Sequence, residues 1–556
     1  MKIKVSELIV KYLERLGVEH IFGMPGAHIL PVYDSLYHSN IKSVLAKHEQ
    51  GAAFMAGGCA RASGKISACI TTAGPGATNL VTGIANAYAD KLPVIIITGE
   101  TSTHIFGKGG LQESSGEGGS IDQDALFTGI TRYNKVVERT DYLENVLNQA
   151  SKILLAESSG PVLLSFPYNV QKEMVDDSIL DAVITEKRIT SVRNNSLPVE
   201  DLTGLIMESE NPVIVAGYGC IKADAQSEVD QLSERLNIPV TTSLKGKGVI
   251  SEQSDRSLGS LGVTSYSRAR DYIMEKVDLI IFLGAGFNER TSYLWDKSLL
   301  QNKKIVQVDT DSEQLEKVFK ADIAVLGDIK QVVAGIVELL AEKKFDRRGA
   351  SKVTRFLAEK GDLPAESDAA LFNEKFSLVK KVFDSIGKHF AKDMMLFDDN
   401  IIFAQNFYRV SNGNRYYSNS GISSLGHAIP AAIGARFAIK HPTLAVLGDG
   451  GFQMCCMELM TAVNYNIPLT IIMFNNATMG LIRKNQSQQY EKRFIDCDFV
   501  NPDYEVLAKS FGIRYRKIEK EDDIDGLFES LDYIDSINLI EVMIDKDMFP
   551  TYSSRR

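Results

Sequence analysis

Leu444-Ala445-Val446-Leu447-Gly448-Asp449-Gly450-Gly451 leads into an apolar, helix-like stretch, and a second apolar run, Leu469 to Phe474, ends in Asn475-Asn476. The two runs read as buried strands and the stretch between them as a helix, so the segment predicts a β-turn-helix-β unit. Asp449 and Asn476 stand 27 positions apart, at the ends of that unit. Small glycines at the end of the first strand let backbone approach a phosphate. A carboxylate plus an amide oxygen suit Mg2+, which takes its remaining oxygens from bound phosphates. The pair therefore predicts one divalent ion holding a diphosphate. A bare Gly-Asp-Gly also occurs in ordinary turns; the Asn-Asn at this spacing, bracketed by strands, singles this one out.

On both sides of this unit apolar runs alternate with helical segments along the whole chain, the pattern of parallel sheets covered by helices on both faces. At 556 residues the chain is too long for one core, and the usual ~150 residues per domain points to about three. The predicted fold class is α/β, with three doubly wound parallel-sheet domains over 1–170, 196–342 and 372–546. In the first, Ile21-Phe22-Gly23, Ser43 to Ala46, Ala68 to Thr71, Val94 to Thr98 and Val162 to Ser165 read as strands. The second has Val213 to Val215, Pro239 to Thr241, Leu279 to Leu283 and Ile305 to Val308. The third adds Met395 to Phe397 and Leu539 to Val542 to the two strands around Gly-Asp-Gly. The charged stretch from Gln171 to Asn195 reads as a linker, and the polar segment from Lys343 to Asp368 as the fading end of the second block.

A formal net charge of -10 without a Lys/Arg run argues against a nucleic-acid or anionic-membrane partner. Met1 to Val5 runs straight into an amphipathic segment ending near Leu16, with no signal-peptide pattern, and no stretch reaches the ~20 apolar residues that span a bilayer. The six cysteines, Cys59, Cys69, Cys220, Cys455, Cys456 and Cys497, show no metal spacing and read as reduced thiols of a cytoplasmic protein.

With Gly-Asp-Gly, the spacing and Asn-Asn in place, the chain resembles the thiamine diphosphate (ThDP) enzymes over nearly its whole length, in particular the acetolactate synthase (acetohydroxyacid synthase) and benzaldehyde lyase branch. The resemblance implies pyrimidine-binding, central and diphosphate-binding domains in that order. It implies that Asp449, Asn476 and the backbone carbonyl of Thr478 hold Mg2+, with Gly448, Gly450 and Gly451 around the diphosphate. Leu425, in Ser423-Ser424-Leu425-Gly426, falls at the apolar wedge that bends ThDP, although a core leucine is the competing reading. Met479 and Gly480 would stand beside the thiazolium. Glu49, in His48-Glu49-Gln50-Gly51-Ala52-Ala53, reads by itself as a first-turn carboxylate favoured by the helix dipole. The resemblance makes it the partner of the pyrimidine N1', setting the tautomer through which the cofactor deprotonates its own C2. Glu49 and Asp449 would then come from different subunits, so a homodimer is the smallest active unit. Thr72 to Asn79 reads as tight strand-to-helix packing that the resemblance sets near the pyrimidine ring.

Several stretches depart from the acetolactate synthase pattern. Asp398-Asp399-Asn400-Ile401 replaces its Gly-Gln-His-Gln. The run from Gly107 to Gln123 is longer and richer in glycine. Gln112 matches the active-site glutamine of that pattern, while Ile121-Asp122-Gln123 matches the lyase pattern, and the run reads equally as a surface loop or a lid. Gly284 to Arg290 resembles a flavin-binding segment in which Gly286 has replaced the first arginine. ThDP and Mg2+ are thus the expected cofactors, with an empty or ADP-like central site favoured over FAD. Gly26-Ala27-His28-Ile29 is shared with benzaldehyde lyase, whose histidine shuttles protons, and His28 is suited to proton transfer at an acyloin alkoxide; a surface loop histidine is the structural alternative. The expected reaction is decarboxylation of a 2-oxo acid with acyl transfer to a second carbonyl. The alternatives are an acyloin or diketone lyase or hydrolase, a FAD-linked oxidase and a silent binding subunit, the last opposed by intact Glu49, Asp449 and Asn476.

Overall fold

The computed structural model describes residues 1–186, 196–359, 371–390 and 392–552. A short strand β1 (Lys2–Lys4) precedes helix α1 (Val5–Arg15), which buries Val5, Leu8, Ile9, Tyr12 and Leu13 on one side. The first sheet comprises β2 (His20–Gly23), β3 (Lys42–Leu45), β4 (Ser67–Thr71), β5 (Val94–Glu100), β6 (Tyr133–Val136) and β7 (Val162–Pro167). All its strands are parallel, in the order β3-β2-β4-β5-β7-β6.

The charged stretch after Gln171 is ordered rather than a free linker at its start. There β8 (Met174–Asp176) pairs antiparallel with β1, Ile3 opposite Val175, and Arg15 pairs with Asp181. Its continuation at 187–195 lies outside the described residues, as do 360–368 of the second polar segment.

The central sheet is built from β9 (Pro212–Ala216), β10 (Val240–Thr242), β11 (Ser257–Ser260), β12 (Leu279–Leu283), β13 (Lys304–Asp309) and β14 (Ile323–Leu326), ordered β11-β10-β9-β12-β13-β14. The third has β15 (Met395–Asp398), β16 (Arg415–Ser418), β17 (Thr443–Gly448), β18 (Leu469–Asn475), β19 (Arg514–Ile518) and β20 (Ile537–Met543), ordered β16-β15-β17-β18-β20-β19. Both are wholly parallel. The α/β expectation of three parallel sheets flanked by helices is met.

The first and third sheets share one core within the chain. Val94 and Ile96 of one belong to the same apolar cluster as Ala445 and Ile471 of the other. Helices α2 (Glu49–Ser63) and α3 (Ala428–Ala438) join them. A Cβ on Gly58 would lie 2.0 Å from the Ala431 carbonyl oxygen, and one on Gly434 would lie 1.9 Å from that of Met55. Only glycine permits this backbone-to-backbone packing. The run of small residues in Glu49–Ser63 is therefore an interhelical surface.

Candidate active site

In the third sheet the strand order reverses between β15 and β17, and ligands of open α/β sheets settle at such a switch point, beyond the carboxyl ends of the strands. Asp399 and Asn400 follow β15, and Asp449 follows β17 as the first residue of α4 (Asp449–Cys455). The Asp449 carboxylate is buried and fully engaged. Its Oδ2 accepts from Ala477 N at 2.7 Å and Asn501 Nδ2 at 2.8 Å, and its Oδ1 accepts from Gly450 N at 3.0 Å. Burial pushes its carboxyl up and these donors oppose the shift. Asn476, half-buried, accepts from Thr478 N at 3.3 Å. The Thr478 hydroxyl is committed to the Cys497 carbonyl at 2.8 Å.

These residues fit a metal-bridged diphosphate. Among the described residues no three His, Cys, Asp or Glu side chains converge, so an ion here would have fewer than three such ligands and would need oxygens from its ligand, the arrangement Mg2+ adopts with phosphates. A Cβ on Gly450 would meet Met479 Sδ at 2.9 Å, and one on Gly451 would meet Asp399 Oδ2 at 2.9 Å. The side-chain nitrogen and oxygen of Asn400 are both buried without a partner among the described residues, an unusual state that a ligand would relieve.

The Asp398-Asp399 departure is structural. Asp399 accepts from Gly426 N at 2.6 Å, His427 N at 3.2 Å and Asn419 Nδ2 at 3.3 Å, bracing the loop that presents the half-buried Leu425. Asp398 accepts from Tyr416 OH at 2.7 Å and Ile401 N at 2.6 Å. Burial pushes the Asp398 carboxyl up to about 6 and that of Asp399 up to about 7, the latter helped by the neighbouring Asp398.

The first sheet assembles a second cluster. Glu49 opens α2 directly after the extended His48, and its Oε2 accepts from Asn79 Nδ2 at 3.0 Å. Asn79 belongs to the turn after β4, so the Thr72 to Asn79 segment does reach Glu49. His28 follows β2, with its carbonyl held by Gln171 Nε2 at 2.6 Å and its Nδ1 buried without a hydrogen-bond partner. Burial pushes the imidazole below its usual range, and the Gln112 side chain acts in the opposite direction. Gln112 has φ 55°, and its Cβ packs over Gly74.

The glycine-rich run is pinned. Glu113 accepts from Gly107 N at 2.5 Å, Gly110 N at 2.8 Å and Gly109 N at 3.0 Å, and Glu100 accepts from Ser114 N at 3.1 Å. Gln123, by contrast, is buried and donates to Thr98 Oγ1 at 2.9 Å and Ser165 Oγ at 3.3 Å. Of the two glutamines, Gln112 is the one beside His28.

Models of the thiamine pyrophosphate enzyme N-terminal TPP binding domain, central domain and C-terminal TPP binding domain match residues 3–120, 199–336 and 400–542. The chain belongs to the thiamine pyrophosphate enzyme family. It is 32% identical over 562 residues to a probable acetolactate synthase large subunit from Methanococcus aeolicus, covering 97% of this chain and 92% of that one. It is 30% identical to the acetolactate synthase large subunit of Lactococcus lactis, covering 97% and 92%. Against the acetolactate synthase isozyme 2 large subunit of Escherichia coli it is 28% identical, covering 97% and 95%.

In this thiamine pyrophosphate enzyme no hydrogen bond or ion pair joins Glu49 to the Asp449 group among the described residues. Sequence reading missed Asn501, which bonds Asp449 and also donates to Asn475 Oδ1 at 2.8 Å, while its own oxygen accepts from Tyr504 OH at 2.9 Å. It missed Gln171, placed in the linker. Neither residue sits in a pattern that marks it. The central sheet carries a third feature, a cavity of about 550 Å3 at the β9/β12 switch point, lined by Gly219, Lys245, Gly286, Arg290 and Asp309. No helix among the described residues is long and apolar enough to cross a membrane.

Proposed function

We propose that this protein is an acetolactate synthase-like carboligase, which decarboxylates a 2-oxo acid and passes the acyl group to a second carbonyl. The observation that carries the reading is the third-sheet switch point, where Asp449 supplies one carboxylate, Asn476 one amide oxygen and Asn400 unpaired polar atoms. Bound thiamine diphosphate supplies a carbon nucleophile for the 2-oxo carbonyl and accepts the electron pair released with CO2. Asp449, Asn476 and the Thr478 carbonyl hold Mg2+, with Gly448, Gly450 and Gly451 leaving room for the diphosphate. Leu425 would pack against the bound cofactor, and Met479 and Gly480 would stand beside its thiazolium.

Glu49 holds a proton at the pyrimidine N1' and so sets the tautomer. His28, whose half-buried imidazole is biased toward the neutral form, takes or returns the proton at the product alkoxide, and Gln112 orients it. Glu49 and Asp449 share no hydrogen bond within one chain, which supports an active unit of two chains, in which each chain's Glu49 serves the other's diphosphate site. The pyrimidine-binding, central and diphosphate-binding domains correspond to 1–170, 196–342 and 372–546. The central cavity, with Gly286 in place of an arginine, takes no flavin in this reading, and the protein acts in the cytoplasm. Incubation with pyruvate and other 2-oxo acids, with and without carbonyl acceptors, should release CO2 and form a chiral acyloin. Cleavage of acyloins without any decarboxylation would overturn the reading.

A further inference from the structure

We propose that Glu458 is a positioning residue for Glu49, a carboxylate from the third-sheet domain that sets the backbone from which Glu49 projects. The inference rests on the reading of Glu49 given above. Glu458 ends the single turn Cys456–Glu458 that follows α4, and it is 3% exposed. Its Oε1 accepts from Lys47 N at 3.0 Å and His48 N at 2.9 Å, and its Oε2 accepts from Lys47 N at 3.2 Å and Thr461 Oγ1 at 2.7 Å. Lys47 and His48 are the last two residues of the link between β3 and α2, immediately before Glu49, and His48 is extended. No backbone carbonyl takes their N–H groups among the described residues, so Glu458, itself buried, supplies the acceptors for these partly buried amides.

The fit leaves no slack, since a Cβ on Gly51 would stand 2.1 Å from Glu458 Oε1. The first turn of α2 thus rests on this carboxylate. Glu49 makes its own hydrogen bond to Asn79 instead, so the two carboxylates have separate donors. One buried side chain therefore fixes the direction in which α2 starts, and with it the place of the Glu49 carboxylate. A positioning group of this kind matters because displacing a catalytic group by about 1 Å costs roughly 10²-fold in rate.

The test uses the full chain with Glu458→Ala, Glu458→Asp and Glu458→Gln, and Glu49→Gln alongside. In the cofactor-free protein, amide hydrogen exchange of residues 47 to 52 should quicken about tenfold or more in Glu458→Ala while the β17 amides keep their protection. In the ThDP-loaded protein, deuterium exchange at the cofactor C2 and kcat per folded molecule should fall about tenfold or more. The dissociation constant for ThDP should move less than about threefold, because the Asp449 group is untouched. Glu458→Gln, which keeps one acceptor oxygen, should recover part of both losses, and it carries the test if the alanine variant does not fold. C2 exchange at the parent rate in the Glu458 variants, with Glu49→Gln slow, overturns the positioning inference and leaves the reading of Glu49 standing. Parent rates in Glu49→Gln as well overturn that reading and the inference with it.

Discussion

Numbered from their own first strands, the first and third sheets have one topology: β3-β2-β4-β5-β7-β6 and β16-β15-β17-β18-β20-β19 are both the order 2-1-3-4-6-5. Each has its switch point between its first and third strands, and each uses the loops there. The side chains delivered are nevertheless different. After β15, β17 and β18 come Asp399, Asp449 and Asn476, whose oxygens accept from backbone donors, and Asn400, whose amide has no partner among the described residues. After β2, β3 and β4 come His28, Glu49 and Asn79, two titratable groups and an amide. The central sheet, ordered 3-2-1-4-5-6 in the same convention, has neither set. A shared topology places loops; the residues in them decide what chemistry the place can offer.

The sharpest way to break the comparison is at the ion-holding end. Asp449→Ala should abolish tight ThDP binding, since the diphosphate loses its bridging ion. Cofactor remaining at full occupancy after dialysis against a chelator would remove the third sheet's claim to that role. At the proton-handling end, Glu49→Gln should retain fold and ThDP but slow C2 exchange by about 10³-fold, within the range for one placed acid-base group. An unchanged exchange rate would leave Glu49 a helix-start carboxylate.

His28→Ala should spare CO2 release from the first 2-oxo acid and slow product formation by about 10²-fold, with covalent donor adduct accumulating in a single turnover. Product formation within a few-fold of the parent would make His28 structural. A weaker effect concerns Asp398 and Asp399. Their folded-state carboxyls lie at about 6 and about 7, above the ordinary ~3.9 of an unfolded Asp. The folded protein therefore binds more protons than the unfolded one between these values. Their contribution to stability is complete below about pH 4 and is lost as pH rises through about 7. The cofactor-free protein should lose Tm over this window, and Asp399→Asn should flatten the slope. The smallest signal belongs to the central sheet, whose purified domain-containing chain should show no flavin absorption band.

The reach of the sequence is clearest in the strands. Interior strands such as β5, β12 and β18 are buried at every position, and a parallel strand covered on both faces has to be written as a continuous apolar run. The strands that sequence reading lacks in the three sheets, β6, β11, β14, β16 and β19, all lie at sheet edges. An edge strand is bounded by solvent and need not be apolar: Arg514-Tyr515-Arg516-Lys517-Ile518 of β19 buries only its last residue. Hydrophobic patterning therefore carries the middle of each sheet and loses its rim.

The site divides along similar lines. The positions of Gly448-Asp449-Gly450-Gly451 and Asn476 were legible because they are local, each standing at the end of its own strand, where the proposed phosphate-bound ion would need it. The first-cluster assignments of Glu49, His28 and Gln112 came mainly from family resemblance. Which of Gln112 and Gln123 faces His28, that Glu113 pins its loop, that Asn501 holds Asp449 and that Glu458 underlies Glu49 were decided only by the tertiary structure. These contacts join residues as far apart as Lys47 and Glu458, and a hydrogen bond between two polar side chains or backbone groups imposes no periodicity on either stretch of chain. Local periodicity and ligand chemistry are written in order along the sequence, whereas the partner of a buried polar group is chosen by the packing of whole domains.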